Sequence, residues 1–88
     1  MKMRADVYKA KYKFVYGSIT QEQLNFIGDN IYCSNDGTYE LSAEDYKELR
    51  QKITKLEKRY KAELEPLFRA FGKEIGKGKG HLSFRVFI

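Results

Sequence analysis

Eighty-eight residues and 10.4 kDa suffice for one domain and leave no room for a second. Apolar residues at 42% and aromatics at 15% offer enough surface to offset the entropy of ordering the chain, which excludes disorder throughout. Seventeen Lys and Arg against twelve Asp and Glu leave a net charge of +5, which suits an anionic partner without demanding one. Cys33 is the only cysteine, so an intrachain disulfide and a Cys-x-x-Cys metal or redox pair are both excluded. The charged start of the chain lacks the apolar stretch of a secretion signal. No window approaches the roughly 18 apolar residues of a membrane span, so a cytoplasmic protein is expected.

Residues 7–16 alternate with period two. Tyr8, Ala10, Tyr12, Phe14 and Tyr16 fall on one face and Lys9, Lys11 and Lys13 on the other, which predicts a strand with its aromatic face buried and its lysines exposed. Gly17 ends it. Thr20 and Gln23 have the spacing of a capping box, with Ile19 and Leu24 placed as a hydrophobic staple, so a helix starts at Gln21. It stops near Gly28 or runs through to Ile31. Ser34, Asn35, Asp36 and Gly37 are dense turn chemistry between residues 31–33 and 38–41, which predicts a short hairpin.

Ser42 with Asp45 three residues on opens a second helix, where Glu44 and Asp45 complement the positive end of the helix dipole. Tyr46, Leu49, Ile53, Leu56 and Tyr60 recur at three and four residues, predicting one long amphipathic helix with Leu56 at the centre of the core. Pro66 kinks or restarts it, and Leu67, Phe68, Phe71 and Ile75 continue the apolar surface. The same positions also fit about two heptads of a parallel seam, so the chain is expected as a monomer or weak homodimer. Gly72, Gly76, Gly78 and Gly80, interleaved with lysines, read as a flexible basic loop. In residues 81–88, Leu82, Phe84, Val86 and Ile88 alternate with Ser83, Arg85 and Phe87 as a terminal strand.

The resulting order is β-α-β-β-α-β: a small α+β domain over residues 1–88, with an antiparallel sheet and a long amphipathic helix on one face. That order is the split βαβ, or ferredoxin-like, one, in which the first and last strands are neighbours. The open sheet face would then carry Lys9, Lys11, Lys13 and Arg85, with Phe87 nearby.

Regularly spaced cations on a rigid sheet can follow phosphates while aromatic rings stack on bases, so this face is the first candidate site. Lys77 and Lys79 of the glycine-lysine segment extend it. Lys77, Gly78, Gly80, Leu82 and Phe84 share the spacing of the RNP1 signature, but Lys79 and His81 stand where the stacking aromatics belong, which makes the likeness compositional. A Walker loop is excluded because the helix precedes the glycines, although a looser nest of glycine amides could hold one phosphate. Catalysis would have to lean on His81, the sole histidine, and no metal-ligand spacing or cofactor motif is present.

Binding is therefore the expected activity. Seven tyrosines favour a small non-enzymatic protein that docks onto a protein or nucleoprotein complex of a host, as the compact inhibitors made by phages and mobile elements do. The alternative is sequence-nonspecific binding of DNA or RNA through Lys9, Lys11, Lys13, Lys77, Lys79 and Arg85.

Overall fold

Turn and cap residues divide the chain into eight elements. The computed structural model describes residues 6–9 and 14–87, which form β1 (Asp6–Lys9), β2 (Phe14–Tyr16), α1 (Gln21–Asn30), β3 (Tyr32–Cys33), β4 (Tyr39–Ser42), α2 (Ala43–Thr54), α3 (Lys58–Lys77) and β5 (His81–Phe87). The sheet is antiparallel throughout, in the order β2-β1-β5-β4-β3, so the fold is α+β.

The expected strand over residues 7–16 is instead two strands that pair with each other. Val7 sits opposite Tyr16 while Tyr8 sits opposite Phe14, so Val15 is the extra residue of a β-bulge. The bulge parts Tyr16 from the face that strict alternation gives it with Tyr8 and Phe14, and the covered face is that of Val7 instead of the aromatic one. Phe14 joins Tyr8 on the open face, whereas Tyr16 joins Val7 on the covered one, and it is Val7 that is completely buried. Tyr12, Lys11 and Lys13, whose facing was also predicted, lie outside the described residues.

The capping box that predicts α1 is present in full. Thr20 Oγ1 accepts from the Gln23 amide at 3.1 Å, and Gln23 Oε1 accepts from the Thr20 amide at 2.8 Å. The helix runs past Gly28 to Asn30 and buries Gln23 and Ile27. The hairpin β3–β4 follows as expected, with Gly37 at φ +87° and the Ser34 amide donating to the Thr38 carbonyl at 2.8 Å. Ser42 then caps α2 by accepting from the Asp45 amide at 3.1 Å.

The predicted long helix breaks earlier than Pro66. The amides of Lys55 and Leu56 bond three residues back, to Lys52 and Ile53, in a tight closing turn, and Glu57 is extended. This breaks any continuous heptad seam and moves Leu56 from the core to a half-buried corner. Pro66 lies inside α3 without ending it. Its ring and Ala62, whose carbonyl loses its donor, are both exposed, so water can take the vacated bond. Two polar contacts tie α2 to α3: a two-pronged Arg50–Glu65 pair at 2.8 and 3.0 Å, and the Tyr46 hydroxyl donating to the Phe68 carbonyl at 2.8 Å.

The corner also decides the topology. A single helix after β4 would carry the chain to the far end of the sheet and feed a parallel strand, whereas two helices running out and back return it to the end it left. His81 therefore starts opposite Ser42, the Ala43 amide donates to the Gly80 carbonyl at 2.8 Å, and β5 runs antiparallel to β4. First and last strands are neighbours as expected, but β5 lies between β1 and β4, which is not the ferredoxin-like order. The core sits on the helix-covered face, where Leu41, Leu82 and Phe84 meet Leu67, Phe68 and Phe71 of α3. The rings of Phe71 and Phe84 are 4.8 Å apart.

Candidate functional site

Cross-strand partners share a face. The pairs Phe14 with Tyr8, Tyr8 with Arg85, Asp6 with Phe87, Ser83 with Glu40, and Glu40 with Tyr32 therefore trace the open side of the sheet across all five strands. At one end Tyr8 meets Phe14 at 5.7 Å and Phe87 at 5.4 Å, both edge to face. Phe14 is 56% and Phe87 42% exposed, and at the opposite edge Tyr32 is 70% exposed. The Phe14 ring lies against Gly17, where a Cβ would come within 3.0 Å of it, and Asp6 Oδ1 accepts from the Ser18 amide at 2.9 Å.

The middle of the face is polar. Arg85 donates from Nε to the Thr38 hydroxyl at 3.2 Å and places Nη2 3.4 Å from Asp36. The Asp36 carboxylate also accepts from the Ser34 hydroxyl and, at 3.0 Å, from the Thr38 amide. These bonds, that of Ser34 foremost, hold its pKa down to about 2. One strand-width away, the Ser83 hydroxyl donates to Glu40 Oε2 at 2.7 Å, and His81 Nε2 lies 2.5 Å from the same oxygen and 3.2 Å from Ser83 Oγ. The Ser83 bond, with His81 adding to it, lowers the Glu40 pKa. A serine relay needs the hydroxyl proton aimed at one imidazole nitrogen and the acid at the other. Here a single nitrogen meets both groups and the hydroxyl points to the carboxylate, so the cluster locks β4 to β5.

Among the described residues, the cations expected to form one site stand on different elements and in different settings. Arg85 is on the open face, as alternation in the last strand predicts, but it is engaged by Asp36 and Thr38. Lys9 sits opposite Phe84 in β1, and Lys11 and Lys13 lie outside the described residues. Lys77 ends α3 with Nζ 3.8 Å from Glu74, and Lys79 is exposed in a left-handed turn at φ 58°. The expected glycine loop is shorter than predicted, because Gly72 and Gly76 are helical. Nor do its glycine amides form a nest: Gly78 donates to the Glu74 carbonyl at 2.9 Å and Gly80 to that of Ile75 at 3.0 Å, which closes the helix instead.

Sequence reasoning placed Phe87 on the open face but missed Tyr8 and Phe14, which it buried. Alternation keeps Tyr8 and Phe14 together, as they are, but the face it marks as apolar is the open one, because Val7 points into the core. Among the described residues no group of three or more His, Cys, Asp or Glu side chains is placed to hold a metal, and no helix is long and apolar enough to cross a membrane. Compared with protein-family models, with curated proteins and with solved structures, the chain has no significant match.

Proposed function

We propose that this chain is a small non-enzymatic binding protein that docks through the open face of its sheet onto a protein, or onto the protein component of a nucleoprotein complex, in the manner of a compact host-directed inhibitor. The observation that carries this reading is the edge-to-face cluster of Tyr8, Phe14 and Phe87, with two of its rings largely exposed. Such rings give up large apolar area at low entropic cost when a partner covers them, and they are enriched where protein interfaces are fully desolvated. The hydrogen-bonded polar strip beside them, with Arg85, Glu40 and His81, supplies the oriented rim that fixes register.

The test is affinity capture from nuclease-treated lysate, comparing the wild type with Phe14→Ala/Phe87→Ala and with Lys47→Ala, an exposed change on α2. A protein recovered with the wild type and with Lys47→Ala, but lost with the double variant, is the expected result. Equal recovery with all three sinks the sheet-face reading.

A further inference from the structure

The densest exposed positive charge of the described chain lies away from the sheet. Residues 52–61, which turn the corner from α2 into α3, hold Lys52, Lys55, Lys58, Arg59 and Lys61 against one carboxylate, Glu57. All five cations are exposed. Two are steadied by neutral partners: Lys52 Nζ donates to Asn30 Oδ1 at 2.5 Å, and Arg59 sits 4.8 Å over the Tyr60 ring while donating to its hydroxyl at 2.8 Å. Among the described residues, the side-chain amines of Lys55, Lys58 and Lys61 make no hydrogen bond and no ion pair. Arg85 and Lys77, by contrast, already face Asp36 and Glu74.

We infer that this corner binds the phosphate backbone of nucleic acid without reading its bases. The residue chemistry favours phosphate over an acidic protein face. Lysine is depleted from the desolvated centres of protein interfaces, whereas contacts to phosphate need only point charges that displace condensed counterions. Lys58 and Lys61 are three residues apart on one helix, so their amines leave the same side of α3, with Lys55 just across the bend. The aromatic sheet face and the basic corner thus have different chemistries, and a nucleoprotein offers a partner for each.

The corner is separable from the fold, which makes the inference testable. Cations in the first turn of α3 oppose the helix dipole, so neutralising Lys58 or Lys61 leaves the thermal midpoint unchanged or raises it. Fluorescence anisotropy is measured with labelled duplex DNA, labelled single-stranded RNA and labelled polyglutamate. At about 50 mM salt the wild type binds both nucleic acids, and for five phosphate contacts duplex affinity falls on the order of 100- to 1000-fold by about 200 mM. Lys55→Gln/Lys58→Gln/Lys61→Gln lowers the log-log salt slope on duplex by about two to three, roughly equally for unrelated sequences. Phe14→Ala/Phe87→Ala keeps the wild-type slope, so a failure of the sheet-face reading is recognised independently. No binding at low salt, an unchanged slope in the triple variant, polyglutamate bound as tightly as nucleic acid, or loss of binding in the Phe14/Phe87 variant alone would each overturn the assignment.

Discussion

Tyr46 lies across Gly72. A Cβ at position 72 would stand 2.5 Å from the Tyr46 hydroxyl and 3.0 Å from its ring carbon Cζ, while that hydroxyl donates to the Phe68 carbonyl at 2.8 Å. An exposed helical Gly→Ala change ordinarily gains about 1 kcal/mol. Here overpacking wins, and Gly72→Ala is expected to cost about 1 to 3 kcal/mol. In a Tyr46→Ala background the obstruction is gone and the same change should become stabilising. Urea denaturation of the four members of this cycle checks it, and a Gly72→Ala protein more stable than wild type would show that α2 and α3 are not packed this way.

The bend between α2 and α3 places Leu67 and Leu56 in different settings. Leu67 is fully buried beneath the sheet and Leu56 half-buried at the corner. Leu67→Ala should cost about 2 to 5 kcal/mol and Leu56→Ala clearly less, since surface retained by the folded state is not lost again on truncation. Denaturation midpoints in that order support the bend. The reverse order would restore the uninterrupted helix that periodicity alone predicts.

What could be read from the residues was whatever local chemistry decides. Thr20 with Gln23, Ser42 with Asp45, and Ser34 to Gly37 each satisfy backbone groups within a few positions, so α1, α2 and the β3–β4 hairpin start where the sequence says. Alternation also placed Leu82 and Phe84 inward and Arg85 outward in β5, because that strand is unbulged. In the first strand the side richer in rings reads as the buried one, whereas the sheet buries Val7, and the bulge at Val15, which exists only through pairing with Val7 and Tyr8, brings Tyr16 to that covered side. The bend at residues 55–57 was hidden for a related reason. Lys55, Leu56 and Glu57 all favour helix, and what separates the two helices is the tertiary pairing of Arg50 with Glu65 and of Tyr46 with the Phe68 carbonyl. The aromatic site is hidden for the first of these reasons, whereas the charge of residues 52–61 is legible in the sequence but lies off the sheet that alternation picks out.

Gln23 does more than cap. Besides closing the box with Thr20, its Nε2 donates to the Glu63 carbonyl at 2.7 Å, and the residue is buried between α1 and α3. Glutamate serves a capping box as well as glutamine does. Gln23→Glu keeps the acceptor for the Thr20 amide but removes the donor and turns a carboxylate toward a carbonyl oxygen, so it should cost about 1 to 3 kcal/mol despite the intact box. A neutral Gln23→Glu in thermal melts would show that the contact to Glu63 contributes nothing.

The acid limb of the stability curve should carry the signature of Asp36. Its carboxylate, held chiefly by the Ser34 hydroxyl and then by Thr38, with Arg85 nearby, titrates at about 2 in the folded chain against a reference of 3.8. Because the folded-state value is depressed, the unfolded chain takes up the proton first as pH falls. The stabilisation is therefore complete above about 3.8 and drains away as pH drops toward about 2. Glu40 and Glu65, whose values are lowered by Ser83 and by Arg50, steepen the same limb in the same direction. Asp36→Asn removes one of the three titrations and leaves the other two. The gap between the melting temperatures of wild type and Asp36→Asn should consequently be widest above about 3.8 and narrow as pH falls through the window to about 2. Thermal melts across that range make the comparison directly. If the two curves fall in parallel, the Ser34, Thr38 and Arg85 contacts do not hold the charge of Asp36, and the polar strip of the sheet face is looser than its hydrogen bonds imply.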